Sequence, residues 1–414
     1  MKKGIKKYKS VKSCRVCGSK DLVSYLNLGD MPLANNLIYE KEIKNEEKFP
    51  LDVLLCKACY FSQLSVVIDP KYMFSNYAYR SAISDSFKKH CQELADELNK
   101  GFLKKGDLVV DIASNDGSLL DPFKKMGNQV LGIEPAKNIA KIANDLDIET
   151  IAKYWSVDLA LKVSKKYKKA KVITAFNVFA HVDDMHGFIE GAKALLDEDG
   201  FLIIESPHIL KLIENTEFDT VYHEHLSYLS LKPLIKLVKS HGLKIAKVKT
   251  YDIHGGSIRM YIEHKGQNRS DGSVQRLVAK ERSAGLHGLK CYREFNRKVE
   301  KIKYDLVAKI SDLKKQNKRI SGFAASAKGN TLLNYCGIDY KTIDFIFDDT
   351  PEKQNKLTPG VHIPVISPKY ILEKSPDYLV ILAWNFADEI ISKTKSFKKQ
   401  GGKYILPIPS LKIK

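Results

Sequence analysis

Between residues 107 and 205 the chain alternates short apolar runs with amphipathic segments, and this alternation limits the possible fold more than any other feature. Asp107–Ile112, Gln129–Ile133, Lys171–Ala175 and Gly200–Glu205 read as buried strands, and Leu119–Lys125, Pro135–Asp145 and Met185–Leu196 read as the helices between them. The pattern predicts a mostly parallel, doubly wound sheet. Leu243–Thr250 and Ser257–Glu263, joined around His254-Gly255-Gly256, read as an antiparallel pair that completes it. An amphipathic helix over Ser84–Leu98 leads in, and a breaker-poor stretch from Ser273 to Asn317 predicts a long helix leading out. A second α/β series then follows through Lys318–Ala324, Thr342–Phe347, Asp377–Leu382 and Tyr404–Leu406. At 414 residues the chain is too long for one core. The fold class is α/β, with expected domains at 10–75, 76–270 and 271–414.

The first of these domains is marked by cysteine. Cys14-Arg15-Val16-Cys17 and Cys56-Lys57-Ala58-Cys59 are separated by 38 residues, and the three other cysteines are scattered. Four thiolates satisfy tetrahedral zinc, and each CxxC turn places two sulfurs on one side of the ion. A four-ligand shell has no open position, so the expected zinc is structural. The basic N-terminus, Met1–Ser13, is followed by no apolar segment of the signal-peptide kind. No run approaches the length of a membrane span, so a cytoplasmic protein that does not engage membranes is expected. The net charge of +19 invites a nucleic-acid reading. Its lysines, however, are dispersed in short groups on the polar sides of helices, without interleaved aromatics. That spacing favours general attraction for anionic substrates over a nucleic-acid partner.

Two constellations suggest chemistry. Asp111-Ile112-Ala113-Ser114-Asn115-Asp116-Gly117-Ser118 follows the first strand, and Glu134 ends the next, 23 residues after Asp111. A flexible turn there lets backbone amides approach a ligand. A carboxylate at the second strand's end accepts hydrogen bonds from both ribose hydroxyls. The turn lacks GxGxxG, which favours S-adenosylmethionine over a dinucleotide, with Asp111 placed to meet a cationic amino group. Ala113, Asn115, Asp116, Gly117 and Asn177 are expected to line the same cofactor site. The second constellation is Tyr222-His223-Glu224-His225, just beyond the Phe201–Pro207 strand run. Read as a strand, it puts His223 and His225 on one face. Histidine is readily poised as a base near neutral pH, so proton transfer is expected, with Glu224 or another carboxylate orienting the imidazole. His181, after the strand ending near Ala175, is the next candidate base. In the last domain Lys328, beside Gly329 and Asn330 at a strand-to-helix turn, suits a diphosphate.

Taken in order, these segments carry a resemblance that covers nearly the whole chain. The two CxxC pairs, Asp111–Gly117, Asn177-Val178-Phe179-Ala180-His181-Val182-Asp183-Asp184, Tyr222–His225, His254–Ser257, Gly322–Asn330, Asp348–Lys353 and Pro359-Gly360 are similar to the nucleotide-sugar C-methyltransferases of deoxysugar pathways. The resemblance implies a zinc-bearing N-terminal domain, a central S-adenosylmethionine domain and a C-terminal Rossmann-like domain that helps to hold the nucleotide sugar. It further implies methylation at carbon 3 of a 4-keto-deoxysugar linked to a nucleoside diphosphate. By position His225 matches the catalytic base, with Tyr222, Glu224 and Asn177 around the sugar and Tyr77 or Tyr79 contributed from Tyr77–Ser81. Ala113 departs from the glycine usual in the family. A monomer or weak oligomer is expected. The alternatives from the residues alone are a sugar O-methyltransferase using the same histidine, a zinc-containing RNA methyltransferase, and a non-catalytic sugar-nucleotide sensor.

Overall fold

The computed structural model describes residues 7–73, 85–253 and 255–414. Tyr77, Tyr79 and His254 therefore lie outside the described residues. In the N-terminal unit, Leu22–Met31, Phe49–Cys56 and Ser62–Leu64 form an antiparallel sheet, and Tyr8–Ser10 pairs separately with Val66–Ile68. Phe49, Leu51, Val53 and Leu55 are buried in strict alternation, the period expected of a strand with one covered face. The sheet's fourth strand comes from far along the chain: Ser227–Tyr228 pairs with Ser62–Gln63. The segment predicted as a histidine-bearing strand is thus different in kind. Tyr222–Glu224 is a turn, and pairing begins only at Ser227.

The central sheet has seven strands: β1 (Leu108–Ile112), β2 (Gln129–Ile133), β3 (Thr150–Ile151), β4 (Ala170–Phe176), β5 (Leu196–Pro207), β6 (Leu243–Tyr251) and β7 (Ser257–His264). Their spatial order is β6-β7-β5-β4-β1-β2-β3. Strands β1 to β5 pair in parallel, and β7 runs antiparallel between β5 and β6. All five residues of β1 are buried, as a strand with helices on both faces requires. Strand order reverses between β1 and β4, so their carboxyl ends open the crevice in which such sheets bind ligands. The helix Val157–Tyr167, which the sequence pattern left unmarked, starts at Ser156, whose hydroxyl accepts the Leu159 N–H at 3.2 Å.

The predicted long helix is two. Ser273–Ser283 packs on the central sheet, where Val274 and Leu277 join its core. After a break at Gly285, with φ of 84°, Leu289–Lys315 packs its buried face against the N-terminal and C-terminal units. The C-terminal sheet runs Val365–Ile366, Ile346–Phe347, Ile320–Phe323, Tyr378–Ile381, Lys403–Leu406 and Lys412–Ile413 in space, parallel except for the last. One continuous core, including Tyr25, Leu55, Tyr292, Phe295, Ile320 and Leu332, joins this sheet to the N-terminal one. Among the described residues no helix is long and apolar enough to cross a membrane.

Candidate active site

The four knuckle cysteines converge, their sulfurs all within 4.8 Å of one another. Cys14–Cys59 and Cys17–Cys56 are each 3.6 Å apart. Tetrahedral zinc with Zn–S bonds of about 2.3 Å needs sulfurs about 3.8 Å apart, so the donor set fits that ion. Each knuckle closes through a backbone bond, Gly18 N–H to Cys14 O at 2.9 Å and Tyr60 N–H to Cys56 O at 2.7 Å, with φ of 71° and 65° at the donors. Arg15, between the first two cysteines, reaches across to the central domain. Its Nε donates to Asp183 at 3.1 Å and its Nη1 to the Leu226 carbonyl at 3.1 Å. The knuckle is thereby tied to the loops that carry His181 and His225.

At the β1–β4 crevice the loop after β1 turns through left-handed backbone at Ala113, Asn115 and Gly117, with φ of 58°, 50° and 82°. Glycine tolerates such angles freely, so Ala113 adopts the conformation its expected counterpart would. Gly117 is needed for space as well: a Cβ there would stand 2.7 Å from Ile148 Cδ1. Asp111 is buried and accepts the Thr174 hydroxyl at 2.7 Å. Burial pushes its carboxyl up to about 7; the Thr174 bond opposes the rise and nearby Glu134 adds to it. Glu134 accepts the Asn115 N–H at 3.1 Å and the Ala136 N–H at 2.8 Å, so it both shapes the loop and precedes the next helix. Asp116 faces inward and accepts the Ser118 hydroxyl at 2.6 Å. Asn177, at the end of β4 with φ of 54°, donates its N–H to Glu205 O, and its buried Oδ1 has no hydrogen-bond partner among the described residues. Unsatisfied buried acceptors are costly, and Asn177 follows the strand that borders the crevice, where Asp111 and Glu134 supply two carboxylates. Such a donor-seeking, acidic site fits the ammonium and ribose hydroxyls of S-adenosylmethionine.

Beyond the crevice lies the histidine turn. His225 Nδ1 is 2.7 Å from the Thr220 carbonyl. A carbonyl only accepts, so Nδ1 carries the proton and, in the neutral ring, Nε2 carries the lone pair. The His225 ring lies against Tyr222, centroids 4.1 Å apart, and meets His181 edge to face at 5.0 Å. Burial pushes His181 down to about 4. It is therefore neutral at pH 7, and a proton gained by His225 meets no second positive imidazole. His223 points away from His225. It packs edge to face on Phe49, its Nε2 lies 3.2 Å from Phe49 O, and burial pushes it down to about 4. The two histidines do not share a face, and among the described residues only the cysteines cluster as metal ligands. Glu224 does not orient the imidazole either: it accepts Asn35 Nδ2 at 2.6 Å, and the Thr220 carbonyl does the orienting. A backbone carbonyl leaves no signature in a sequence.

The C-terminal turn differs from a free phosphate cradle. The Gly329 N–H is taken by the Ser326 hydroxyl at 3.1 Å, and a Cβ on Gly329 would stand 2.7 Å from Leu382 Cβ. Asn330 is buried and donates to Ala34 O at 2.8 Å. Gly329 is thus engaged in packing and Asn330 in a domain contact, while Asn330 Oδ1, in a cavity lined also by Tyr222 and His223, has no hydrogen-bond partner among the described residues. Lys328 points toward the central domain, its Nζ 3.9 Å from Glu217 and 5.1 Å from the Trp384 ring centroid.

Three family models match the chain in order: a zinc binding domain at residues 14–74, a methyltransferase domain at 84–248 and a C-methyltransferase C-terminal domain at 252–409. The C-methyltransferase NovU of Streptomyces niveus is 36% identical over 406 residues, covering 97% of each chain. A ubiquinone biosynthesis O-methyltransferase of Rhodopseudomonas palustris (strain TIE-1) is 28% identical over 101 residues, 24% of this chain and 40% of its own. The crystal structure of magnesium protoporphyrin IX methyltransferase from Synechocystis PCC 6803 with bound S-adenosylmethionine matches at 13% identity and a TM-score of 0.35, covering 47% of this chain and 88% of that one. With zinc-site geometry, crevice and full-length similarity in agreement, the chain belongs to the C-methyltransferase family and is an S-adenosylmethionine-dependent methyltransferase.

Proposed function

We propose that the protein methylates carbon 3 of a 4-keto-deoxysugar linked to a nucleoside diphosphate, through an enolate. The observation that carries this reading is the single tautomer imposed on His225 by the Thr220 carbonyl. A carbon beside a ketone is acidified because its anion delocalises onto oxygen. Neutral His225 takes that proton at Nε2, and the imidazolium keeps its Nδ1–H bond to Thr220 O. The Tyr222 hydroxyl donates to the developing enolate oxygen. S-Adenosylmethionine supplies the electrophilic methyl group. Asp111 holds its ammonium, Glu134 its ribose, and Asn177 borders both the cofactor and the sugar. Cys14, Cys17, Cys56 and Cys59 hold a structural zinc. The full-length similarity to a C-methyltransferase supports carbon over oxygen as the acceptor.

The test is incubation of the enzyme with S-adenosylhomocysteine and a panel of nucleoside-diphosphate 4-keto-6-deoxysugars in deuterated water. Mass spectrometry should show one deuteron entering the position next to the ketone. His225→Ala should slow this exchange, and turnover, by roughly 10²–10⁴ while cofactor affinity stays unchanged. Full turnover in His225→Ala, or a methyl group found on oxygen, would overturn the reading.

A further inference from the structure

The turn Phe218–Thr220 supplies the carbonyl that fixes His225, and it is almost wholly enclosed. What encloses it comes from the C-terminal domain. The Phe218 ring meets Tyr335 edge to face, with centroids 5.4 Å apart. Asp219 accepts the Trp384 indole N–H at 2.7 Å. Lys328, 5.1 Å from the same indole, approaches Glu217 but has no hydrogen-bond partner among the described residues. Three consecutive residues thus have consecutive tasks: Phe218 is packed by one domain, Asp219 is hydrogen-bonded by it, and Thr220 holds the histidine of another.

Asp219 is 0% exposed, and its Oδ1 has no hydrogen-bond partner among the described residues. Burial pushes the Asp219 carboxyl up even though the Lys328 charge, the Trp384 indole N–H and neighbouring backbone amides oppose the rise, and an apolar residue of similar volume would pack the same space at lower cost. The residue is therefore poorly explained by stability. It is better explained by direction: the indole N–H holds the Asp219 side chain one residue before the carbonyl that meets His225. We propose that Trp384 is a positioning residue for the reaction, acting through Asp219 and the Thr220 carbonyl to hold His225 in its reactive tautomer. This rests on His225 being the base. It gives the C-terminal domain a part in proton transfer in addition to any part in substrate binding.

Trp384→Phe keeps an aromatic ring, smaller than indole, and removes the N–H, Asp219→Asn keeps an oxygen that can accept it, and Asp219→Leu removes the acceptor at similar volume. The readouts are kcat, KM for S-adenosylmethionine and the ¹⁵N NMR shifts of His225, which report how far the proton is confined to Nδ1. Trp384→Phe and Asp219→Leu should each lose about tenfold or more in kcat, the scale of a small misplacement of a reacting group. Their KM for S-adenosylmethionine should not change, and their His225 shifts should move toward a mixture of tautomers. Asp219→Asn should keep most of kcat and the wild-type shifts. If either indole- or acceptor-deleting variant does not fold, the other reads the same contact. Wild-type kcat and His225 shifts in Trp384→Phe or Asp219→Leu overturn the proposal, as does loss in all three variants with His225 shifts unchanged. His225→Ala measured alongside separates the two layers: if it is inactive while Trp384→Phe is normal, only the positioning role falls. If His225→Ala is active, the assignment of the base falls first.

Discussion

The central and C-terminal sheets carry the same backbone device at the end of their first strand and use it for opposite ends. Ala113 has φ of 58° and donates its N–H to Ile133 O at 2.7 Å; Ala324 has φ of 75° and donates to Phe347 O at 2.8 Å. A carboxylate on the neighbouring strand then pins each loop. Glu134 accepts from the Asn115 and Ala136 amides, and Asp348 from those of Ala325 and Thr350. From there the two diverge. Asp348 is also met by Lys353 at 3.2 Å, and Leu382 fills the space above Gly329. Among the described residues no cation lies within ion-pair distance of Glu134, and the strand ends beside it carry buried Asp111 and the unsatisfied Asn177 oxygen. On the proposed reading, the central crevice binds a ligand because its charges are left for a ligand to balance. In the C-terminal sheet side chains balance and fill the crevice, which becomes a docking face, here for the turn that carries Thr220.

The largest expected effect concerns the frame that holds both regions. Ser227–Tyr228, two residues past His225, is a strand of the zinc-bearing sheet, so that sheet should be needed for the histidine turn but not for the cofactor crevice. Structural zinc contributes about 10 kcal/mol or more in small folds. Chelation, or Cys56→Ser, should therefore melt the N-terminal unit and abolish turnover while S-adenosylmethionine still binds, as metal analysis, circular dichroism and calorimetry would show. Cofactor binding lost in parallel with zinc would erase the contrast between the crevice and the turn.

A smaller effect follows from the charge left unbalanced at Asp111. Its carboxyl, pushed up to about 7 in the folded protein by burial, lies near the ordinary carboxylate value when unfolded. The folded state thus holds a proton that the unfolded chain has lost. That contribution to stability is complete below about pH 4 and disappears as pH rises through about 7, a loss of roughly 1–4 kcal/mol. Asp111→Asn should flatten this slope in urea titrations of the ligand-free protein. Affinity for the cationic cofactor should rise over the same interval in the wild type, because binding favours the ionised carboxylate.

The smallest effect tests the shared device itself. Glycine at Ala113 or at Ala324 removes left-handed strain of about 1 kcal/mol and loosens the unfolded chain by a similar amount. Stability should change by less than about 1 kcal/mol in each case, measured by thermal unfolding, and only the Ala113 substitution should alter cofactor affinity.

Much of this architecture is legible in the sequence, for reasons that can be named. Strands such as Leu108–Ile112 are apolar but for Asp111 because helices cover both faces, and four cysteines in two CxxC turns admit few purposes. Other features have no local signal. β3 is two residues long, and Thr150–Ile151 is extended only because Gly132–Ile133 lies beside it. The break over 284–288 depends on Gly285 and Gly288 in an otherwise helical pattern. Tyr222–His225 looks like a strand because it is aromatic-rich, yet His223 belongs to Phe49 of another domain and His225 to a carbonyl five residues back. Asp219 and Trp384 are 165 residues apart, so their bond exists only after the central and C-terminal units have packed.

The most direct test compares the two pinning carboxylates by titrating S-adenosylmethionine into Glu134→Ala and Asp348→Ala calorimetrically, with folding verified for both. One site per wild-type chain is expected, with an affinity lowered by about 1–3 kcal/mol in Glu134→Ala and wild-type affinity in Asp348→Ala, where the loss falls on stability alone. Unchanged binding in Glu134→Ala, or weakened binding in Asp348→Ala, would contradict this expectation.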